Sequence, residues 1–311
     1  MKSVACVGVG NIGRAWAIAF ARGGCEVRLY DANGAMLEKS LRLMSDNIDD
    51  LAAAGMIDDA SAVKARLTHV ASMEEALSGA AYVQESVRED LELKREIFQK
   101  MDAIAAPETI LASSTSEFMS SQFAADLPHA ERCMVAHPFN PPYLIPLVEL
   151  SGHDGVDAGK LEQARALLEE VGMTPVIVRK EIKALLLNRL QAAVVSEALF
   201  LVGEGYCSAE DLDKSMTDGL GLRWAFMGPF MTGHLNASGG YRQYMRMFGG
   251  TYRRMVDDLK KEYQWSDAQI DAVSDEMERT IALDQVDRGQ RWRDRRLMAL
   301  LKHRRDAEPF A

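Results

Sequence analysis

Short apolar runs alternate with helix-type stretches through the first half of the chain. Arg14–Ala21 repeats apolar residues at helical spacing and is closed by Gly23-Gly24, as many helices are. The apolar runs have the length and composition of strands. They are Val4–Val7, Val27–Tyr30, Tyr82–Val83, Ile110–Ala112, Cys133–Ala136, Leu147–Leu150 and Thr174–Val178. Strands separated by helices predict parallel pairing in a doubly wound α/β sheet.

The pattern changes near residue 182. Beyond Ile182 no alternating run predicts a strand, and apolar residues recur at helical spacing. The predicted helical stretches are Leu185–Val202, Ala209–Thr217, Tyr252–Tyr263 and Asp267–Leu283. We therefore expect an α/β domain over residues 1–182 and an all-helical domain over residues 183–311.

Composition and charge disfavour several classes of protein. The 311 residues carry 36 Lys plus Arg against 46 Asp plus Glu, a net charge of -10, which disfavours binding to nucleic acid or an anionic membrane. No apolar run reaches the roughly 18 residues of a membrane-spanning helix, and the chain starts directly with a strand rather than a signal segment. Widely spaced cysteines predict reduced thiols in a cytoplasmic protein, without disulfides or a metal site. These are Cys6, Cys25, Cys133 and Cys207.

A glycine-rich motif, Gly8-Val9-Gly10-Asn11-Ile12-Gly13, connects the first strand to the first helix. In this GxGxxG pattern Gly8 permits the tight turn, Gly10 lets the backbone approach a pyrophosphate, and Gly13 allows close helix–strand packing. The helix N-terminus then offers free N–H groups to the phosphates. The alternative is a purely structural glycine turn. The position between strand and helix favours a Rossmann-type dinucleotide site.

Asp31 stands at the end of the next strand and indicates which dinucleotide binds. Its carboxylate can accept both hydroxyl protons of an adenosine ribose but would repel a 2′-phosphate. The following Ala32-Asn33-Gly34 provides no arginine to offset that repulsion. The sequence therefore predicts NAD rather than NADP as the cofactor.

His137 and Glu149 are candidates for general acid–base chemistry. His137 follows a predicted strand and precedes the proline-rich Pro138–Pro142, which restricts the backbone. Glu149 interrupts the apolar run Leu147–Leu150, where a charge needs a partner. A carboxylate that binds one imidazole N–H raises the basicity of the other nitrogen. The residues alone fit equally well with a loop histidine and an edge-strand carboxylate.

Two more polar groups stand near predicted element ends. Ser113–Ser116 follows a strand at the edge where doubly wound sheets bind ligands. For Ser113 and Ser114 we expect only a turn that caps the next helix. Asn188 lies early in an apolar helix, where its amide needs a partner. That partner is either a substrate oxygen or a backbone carbonyl.

Several motifs together resemble the 3-hydroxyacyl-CoA dehydrogenase superfamily, and within it the lambda-crystallin/L-gulonate 3-dehydrogenase branch. The similarity runs from about residue 4 to residue 300. Besides the glycine motif with Asp31, the motifs that carry it are Glu85–Lys94, Ser113–Ser116, Ala136–Leu150, Asn188-Arg189, Gly219–Phe226 and Arg291–Asp294. One departure is Ala184-Leu185, where the family usually has Gly-Phe.

The resemblance implies a role for each matched residue. His137 would be the catalytic base, oriented by Glu149, while Ser116 and Asn188 would bind the reacting oxygen. Together with Asp31, the residues that would line the NAD site are Glu89, Lys94 and Asn140. Relatives dimerise through the helical domain, which is rich in methionine here, so we expect a homodimer.

Because relatives of this branch act on free sugar acids, the resemblance implies oxidation of a small free 3-hydroxy acid, and we expect L-gulonate to be oxidised to 3-dehydro-L-gulonate. Acyl-CoA substrates need cations for the CoA phosphates, whereas Ser45–Ala60 holds five aspartates and no Lys or Arg. Arg223 is the candidate ligand for the substrate carboxylate, against the alternative of an exposed helix-end arginine. Three alternatives stay open: a 3-hydroxyacyl-CoA dehydrogenase, a carnitine dehydrogenase that uses Trp224, Phe226 and Tyr241, and a crystallin-like structural protein.

Overall fold

An eight-stranded sheet forms the centre of the first part of the chain. The structure is a computed structural model, which describes residues 2–259 and 264–307. The strands are β1 (Ser3–Val7), β2 (Glu26–Tyr30), β3 (Leu67–His69), β4 (Tyr82–Glu85), β5 (Ile110–Ser113), β6 (Cys133–Pro138), β7 (Leu147–Ser151) and β8 (Thr174–Val178). Their order across the sheet is β3-β2-β1-β4-β5-β6-β7-β8. The sheet is of the Rossmann type, as predicted.

The prediction of purely parallel pairing is wrong at one place. β7 runs antiparallel to β6, while the other neighbouring pairs are parallel. The connection between β6 and β7, residues 139–146, is too short for the crossover that parallel neighbours require. β3 was not predicted, because Leu67–His69 is a short edge strand with two exposed polar residues and no apolar run.

Helices cover both faces of this sheet. They are α1 (Asn11–Arg22), α2 (Gly34–Ala53), α3 (Ala60–Ala65), α4 (Met73–Leu77), α5 (Leu91–Ile104) and α6 (Ala158–Glu170). On one face α1 buries Trp16 and Phe20, whose rings stack with centroids 5.1 Å apart. On the other face Phe98 of α5 packs against Phe123 at 4.6 Å. Buried aromatic pairs on both faces give the sheet a core on each side.

The rest of the described chain is helical, as predicted, with no strand after Val178 in residues 179–259 and 264–307. The helices are α7 (Leu185–Gly203), α8 (Ala209–Lys214), α9 (Gly221–Trp224), α10 (Pro229–Leu235), α11 (Gly240–Asp258), α12 (Asp267–Thr280) and α13 (Val286–Asp306). A π-helical segment, Ser215–Leu220, joins α8 to α9. The end of the predicted helical stretch Tyr252–Tyr263, residues 260–263, lies outside the described residues.

The chain divides into two compact units. The first extends to Asn188 and also includes Arg295–His303, and the second holds Arg189–Asp294. Relative to the boundary expected between residues 182 and 183, the start of α7 and part of α13 belong with the α/β unit. Met298 of α13 is 4% exposed and packs in the core of that unit, which accounts for the second assignment.

α7 is unusually apolar and exposed. Among the described residues, α7 is the one helix whose length and composition would allow it to cross a membrane. Only 6% of it is buried in the single chain. Arg189 and Glu197 interrupt its apolar surface. The expectation that nothing spans a membrane stays a prediction.

Candidate active site

The glycine motif forms a tight turn between β1 and α1. Gly8 has φ +85°, and a Cβ there would lie 2.8 Å from the Ser86 backbone. A Cβ on Gly13 would lie 1.9 Å from the Gly8 carbonyl oxygen. A Cβ on Gly10, by contrast, would meet nothing within 4 Å. Gly8 and Gly13 are therefore required by packing, while the space beside Gly10 at the start of α1 suits a pyrophosphate.

Asp31 is held in a fixed orientation beside this turn. Its Oδ2 accepts a hydrogen bond from the Val9 amide at 2.9 Å, and its Oδ1 accepts one from the Asn33 amide at 2.9 Å. A cavity of about 1070 Å³ opens next to it. Residues on its walls include Gly8, Gly10, Asp31, Met36, Met73 and Ile97. A carboxylate, a glycine turn and apolar walls fit an adenosine with its ribose and pyrophosphate.

The Asp31→Ala variant is expected to bind NADH about 10- to 100-fold more weakly. Each charge-assisted hydrogen bond to a ribose hydroxyl contributes about 1.5–3 kcal/mol. Fluorescence titration with NADH measures the change, with Glu74→Gln as the control, since Glu74 is another carboxylate on the cavity wall. An affinity within about twofold of wild type would contradict the role of Asp31.

His137 and Glu149 face each other across the antiparallel pair of β6 and β7. The two residues are direct register partners, and His137 Nδ1 lies 2.9 Å from Glu149 Oε2. Both side chains are buried, and the ring of Phe139 packs edge-on against the imidazole at 4.9 Å. A carboxylate that accepts the Nδ1 proton leaves Nε2 free to accept another. The strand direction that the sequence did not predict is what brings this pair together.

Glu149 also anchors the first turn of α7. Its Oε1 accepts hydrogen bonds from the amides of Leu186 at 2.7 Å and Leu187 at 3.0 Å. Burial alone would raise the pKa of Glu149, but the hydrogen bonds from His137 and from these two amides outweigh it and hold the pKa below its usual value. Asn188 follows in the same helical turn. The carboxylate that holds the base thus also holds the turn that carries Asn188.

Glu89 and Lys94 lie in one network of hydrogen bonds and ion pairs at the ends of β4 and β5. The Thr115 hydroxyl and the Ser116 amide both donate to Glu89, so Glu89 holds the turn that carries Ser116. Lys94 is fully buried and bonds to Glu85, a residue of the Glu85–Lys94 motif to which the sequence analysis gave no role of its own. No local pattern marks Glu85, because its buried partners come from distant positions in the chain.

The expectation that Ser113 and Ser114 only cap a helix is wrong. Ser113 donates to Glu85 at 2.5 Å, and the Ser114 hydroxyl bonds to Trp16, Gln84 and Ser86. These bonds connect α1, β4 and the end of β5.

The other predicted site residues are more exposed. Asn140 is exposed in the connection between β6 and β7, and Asn188 is half-buried in α7. Ser116 is exposed after β5. Arg223 is exposed in α9 of the helical unit. Their roles toward substrate and cofactor stay predictions.

Ala184-Leu185, the departure from the family pattern, has a strained backbone. Ala184 has φ 64° and Leu185 has φ 56°, in the left-handed region that glycine favours. Leu185 is 5% exposed and packs in the core, which offsets part of that strain. The segment therefore keeps at Ala184 a conformation that suits the glycine usual in the family.

Ala184→Gly is expected to raise the free energy of unfolding by about 0.5–1 kcal/mol. A left-handed alanine costs about 1–2 kcal/mol, from which the greater freedom of glycine in the unfolded chain subtracts. Urea unfolding measures the change. Ala192→Gly, inside α7, should instead destabilise by about 1 kcal/mol. Equal destabilisation by both substitutions would refute the strain at Ala184.

The chain is similar in sequence to known proteins over nearly its whole length. The family model "3-hydroxyacyl-CoA dehydrogenase, NAD binding domain" matches residues 3–211, and the model of the family's C-terminal domain matches residues 186–275. The lambda-crystallin homolog of Homo sapiens is 39% identical over 311 residues, covering 98% of this chain and 97% of the relative. An L-carnitine dehydrogenase of Oceanobacillus iheyensis is 38% identical over 271 residues, covering 84% and 88%.

The chain is also similar in fold to solved structures of dehydrogenases. The chain resembles FHMPC 5-dehydrogenase, an NAD+-dependent dismutase, with TM-score 0.85 and 25% identity over 99% of this chain and 100% of that one. It also resembles 3-hydroxybutyryl-CoA dehydrogenase of Escherichia coli, with TM-score 0.68 and 25% identity over 87% and 56%. The glycine turn and the oriented Asp31 fit NAD, as predicted. The chain belongs to the 3-hydroxyacyl-CoA dehydrogenase family and is an NAD-dependent oxidoreductase that acts on a hydroxyl group.

Proposed function

We propose that the protein oxidises the 3-hydroxyl of a small free 3-hydroxy acid, with L-gulonate as substrate and 3-dehydro-L-gulonate as product. The buried His137–Glu149 pair carries the hydroxyl oxidation in this proposal, because it holds an imidazole in place to accept a proton. The pair lies on strands of the same sheet as the glycine turn. The relatives named above, which include lambda-crystallin homologs, support the assignment to this branch.

Several residues of the chain have separate roles in the proposed oxidation of the alcohol. NAD, when bound, supplies the hydride acceptor. Glu149 accepts the Nδ1 proton of His137, so that Nε2 takes the proton of the substrate hydroxyl. The Asn188 amide and the Ser116 hydroxyl donate hydrogen bonds to the oxygen as negative charge develops on it. Glu149 keeps both His137 and the turn of Asn188 in place.

Surface charge favours a free acid over a CoA thioester. The aspartates of residues 45–60 are exposed on α2 and on the connection that follows it. Of these, Asp49 is paired with Lys64. An acidic surface repels the phosphates of CoA, whereas a single carboxylate needs one cation. We assign that cation to Arg223, whose guanidinium can bind a carboxylate through two hydrogen bonds.

Initial rates of NAD reduction with a substrate panel test the proposal. The panel holds L-gulonate, 3-hydroxybutyrate, 3-hydroxybutyryl-CoA and L-carnitine. We expect L-gulonate to have the highest kcat/KM and Arg223→Ala to lower it at least about 10-fold. Arg279→Ala, an exposed arginine at the end of α12, is the matched control. A preference for the CoA thioester would contradict the charge argument.

L-carnitine is the second candidate substrate. The helical unit contains an aromatic cluster in α10 and α11, in which Phe230 packs on Tyr241 at 5.7 Å and Tyr241 stacks on Tyr244 at 6.3 Å. Aromatic faces bind quaternary ammonium groups. Preferred turnover of L-carnitine in the panel would support this candidate instead.

We also propose a homodimer formed through the helical unit. Apolar side chains of α7 and α11 are exposed in the single chain; they include Leu190, Val194, Val195, Met247, Phe248 and Met255. Exposed apolar side chains in this number favour an interface, and a second copy is their simplest cover. Light scattering on the purified protein should give twice the chain mass. A monomer at micromolar concentration would contradict the proposal.

A further inference from the structure

Three charged side chains, Glu85, Lys94 and Glu89, form a cluster that the proposed proton transfer does not use. Lys94 Nζ lies 3.1 and 3.3 Å from the two oxygens of Glu85 and 3.5 Å from Glu89 Oε2. The side chains of Lys94 and Glu85 are 0% exposed, and that of Glu89 is 35% exposed. Burying such charges is costly, so their arrangement calls for an explanation.

The contacts of Glu85 are all with hydrogen-bond donors. The Val87 amide donates to Oε1 at 2.6 Å. The Ser113 oxygen accepts from the Thr115 amide, and its own proton points to Glu85 Oε2 at 2.5 Å. With Lys94 donating to both oxygens, each described polar contact of Glu85 is one that a carboxylate accepts. These contacts favour the ionised form of Glu85.

The same reasoning applies to Glu89. The Thr115 oxygen accepts from the amides of Glu117 and Phe118, so its proton is directed to Glu89 Oε1. The amides of Ser116 and Glu117 donate to that oxygen at 3.2 and 3.1 Å. Two carboxylates thus surround one ammonium group. The cluster carries one negative charge in excess.

The cluster lies on the nicotinamide side of the cofactor site. The strand order changes direction at β1, with β2 and Asp31 on one side and β4 on the other. Dinucleotides bind across this switch point. Because the adenosine cavity adjoins Asp31, the nicotinamide of a bound NAD would lie on the side of β4 and β5, toward His137 on β6. The oxidised nicotinamide ring is positively charged, and the reduced ring is neutral.

We propose that the Glu85–Lys94–Glu89 cluster shifts cofactor binding toward the oxidised form. Its excess negative charge stabilises NAD+ and gives no such stabilisation to NADH. Since Glu85 and Lys94 are buried, salt screens their charges less than it would screen charges at the surface. The inference rests on the proposed function, in which the protein binds NAD+ and releases NADH. Lys94 acts here by balancing charge.

Binding of the two cofactor forms without substrate tests this inference. Fluorescence titration gives the Kd of NADH, and displacement of NADH gives the Kd of NAD+. Glu89→Gln is expected to lower the ratio of the NADH Kd to the NAD+ Kd by about three- to tenfold. Lys94→Met, which leaves two unbalanced carboxylates, should raise that ratio by a similar factor. Glu96→Gln removes one charge at the adenosine cavity and should leave the ratio within about twofold of wild type.

The Kd ratio should shift in opposite directions in Glu89→Gln and Lys94→Met, which distinguishes an effect of charge from damage to the fold. A ratio that stays at the wild-type value in Glu89→Gln while NADH still binds would overturn the inference. So would shifts in the same direction in both cluster variants, because damage to the fold does not distinguish the charge of the ring. If Lys94→Met does not fold, the comparison of Glu89→Gln with Glu96→Gln decides. Failure of the proposed function would appear separately, in the substrate panel.

Discussion

The His137→Gln variant should lower kcat by about 10²- to 10⁴-fold, the range expected for loss of a general base. Nε2 is the atom that accepts the hydroxyl proton, because Nδ1 is bonded to Glu149 at 2.9 Å. NADH affinity should stay within about twofold of wild type, since His137 lies outside the walls of the adenosine cavity. Initial-rate NAD reduction at saturating substrate and cofactor gives the first value, and fluorescence titration gives the second.

The control is His129→Gln. His129 is an exposed histidine of the same unit, and its ring lies 3.8 Å from Glu131 at the surface. This variant should retain wild-type kcat. Retention of activity in His137→Gln would show that another group accepts the proton.

The Glu149→Gln variant should lose about 10²- to 10³-fold in kcat and change the response of stability to acid. A glutamine amide that donates to Nδ1 leaves the proton of the imidazole on Nε2, where it blocks the base. Its oxygen can still accept from the amides of Leu186 and Leu187, so α7 keeps part of its anchor. Comparing Glu149→Gln with wild type therefore measures the effect of the wrong imidazole tautomer while part of the contact with α7 is kept.

The sign of the pH effect follows from the lowered pKa of Glu149. A carboxylate whose pKa is lower in the folded than in the unfolded state stabilises the protein above its ordinary pKa. This contribution disappears as the pH falls through the lowered value. Urea unfolding between neutral and acidic pH should show a smaller loss of unfolding free energy in Glu149→Gln than in wild type. Glu170→Gln, which alters an exposed ion pair with Lys2, is the control. Identical slopes in wild type and Glu149→Gln would refute this account.

The elements that the sequence predicts well are those with a local pattern. The strand–glycine–helix order around Gly8-Val9-Gly10-Asn11-Ile12-Gly13 and Asp31 indicates the cofactor site, because each residue has a local steric or electrostatic role. The helical character beyond Ile182 is equally visible in the spacing of apolar residues. Local periodicity is therefore enough for the fold class and for one half of the site.

The contacts that the sequence does not predict are made across long separations. The composition of an apolar run such as Leu147–Leu150 does not show whether the strand runs parallel or antiparallel to its neighbour. The antiparallel register of His137 with Glu149 follows only from the short connection between β6 and β7. The bonds from Glu149 to the amides of Leu186 and Leu187 use backbone groups, which leave no trace in residue types. Glu85 is likewise found only once the strands are assembled.

The most direct test of the central claim is the stoichiometry of L-gulonate oxidation. Wild-type protein with NAD and L-gulonate should form one NADH for each molecule of 3-keto acid detected by NMR, and His137→Gln should form neither product at a comparable rate. Turnover of 3-hydroxybutyryl-CoA without any reaction of L-gulonate would contradict the proposed substrate. Full turnover of L-gulonate by His137→Gln would contradict the proposed base.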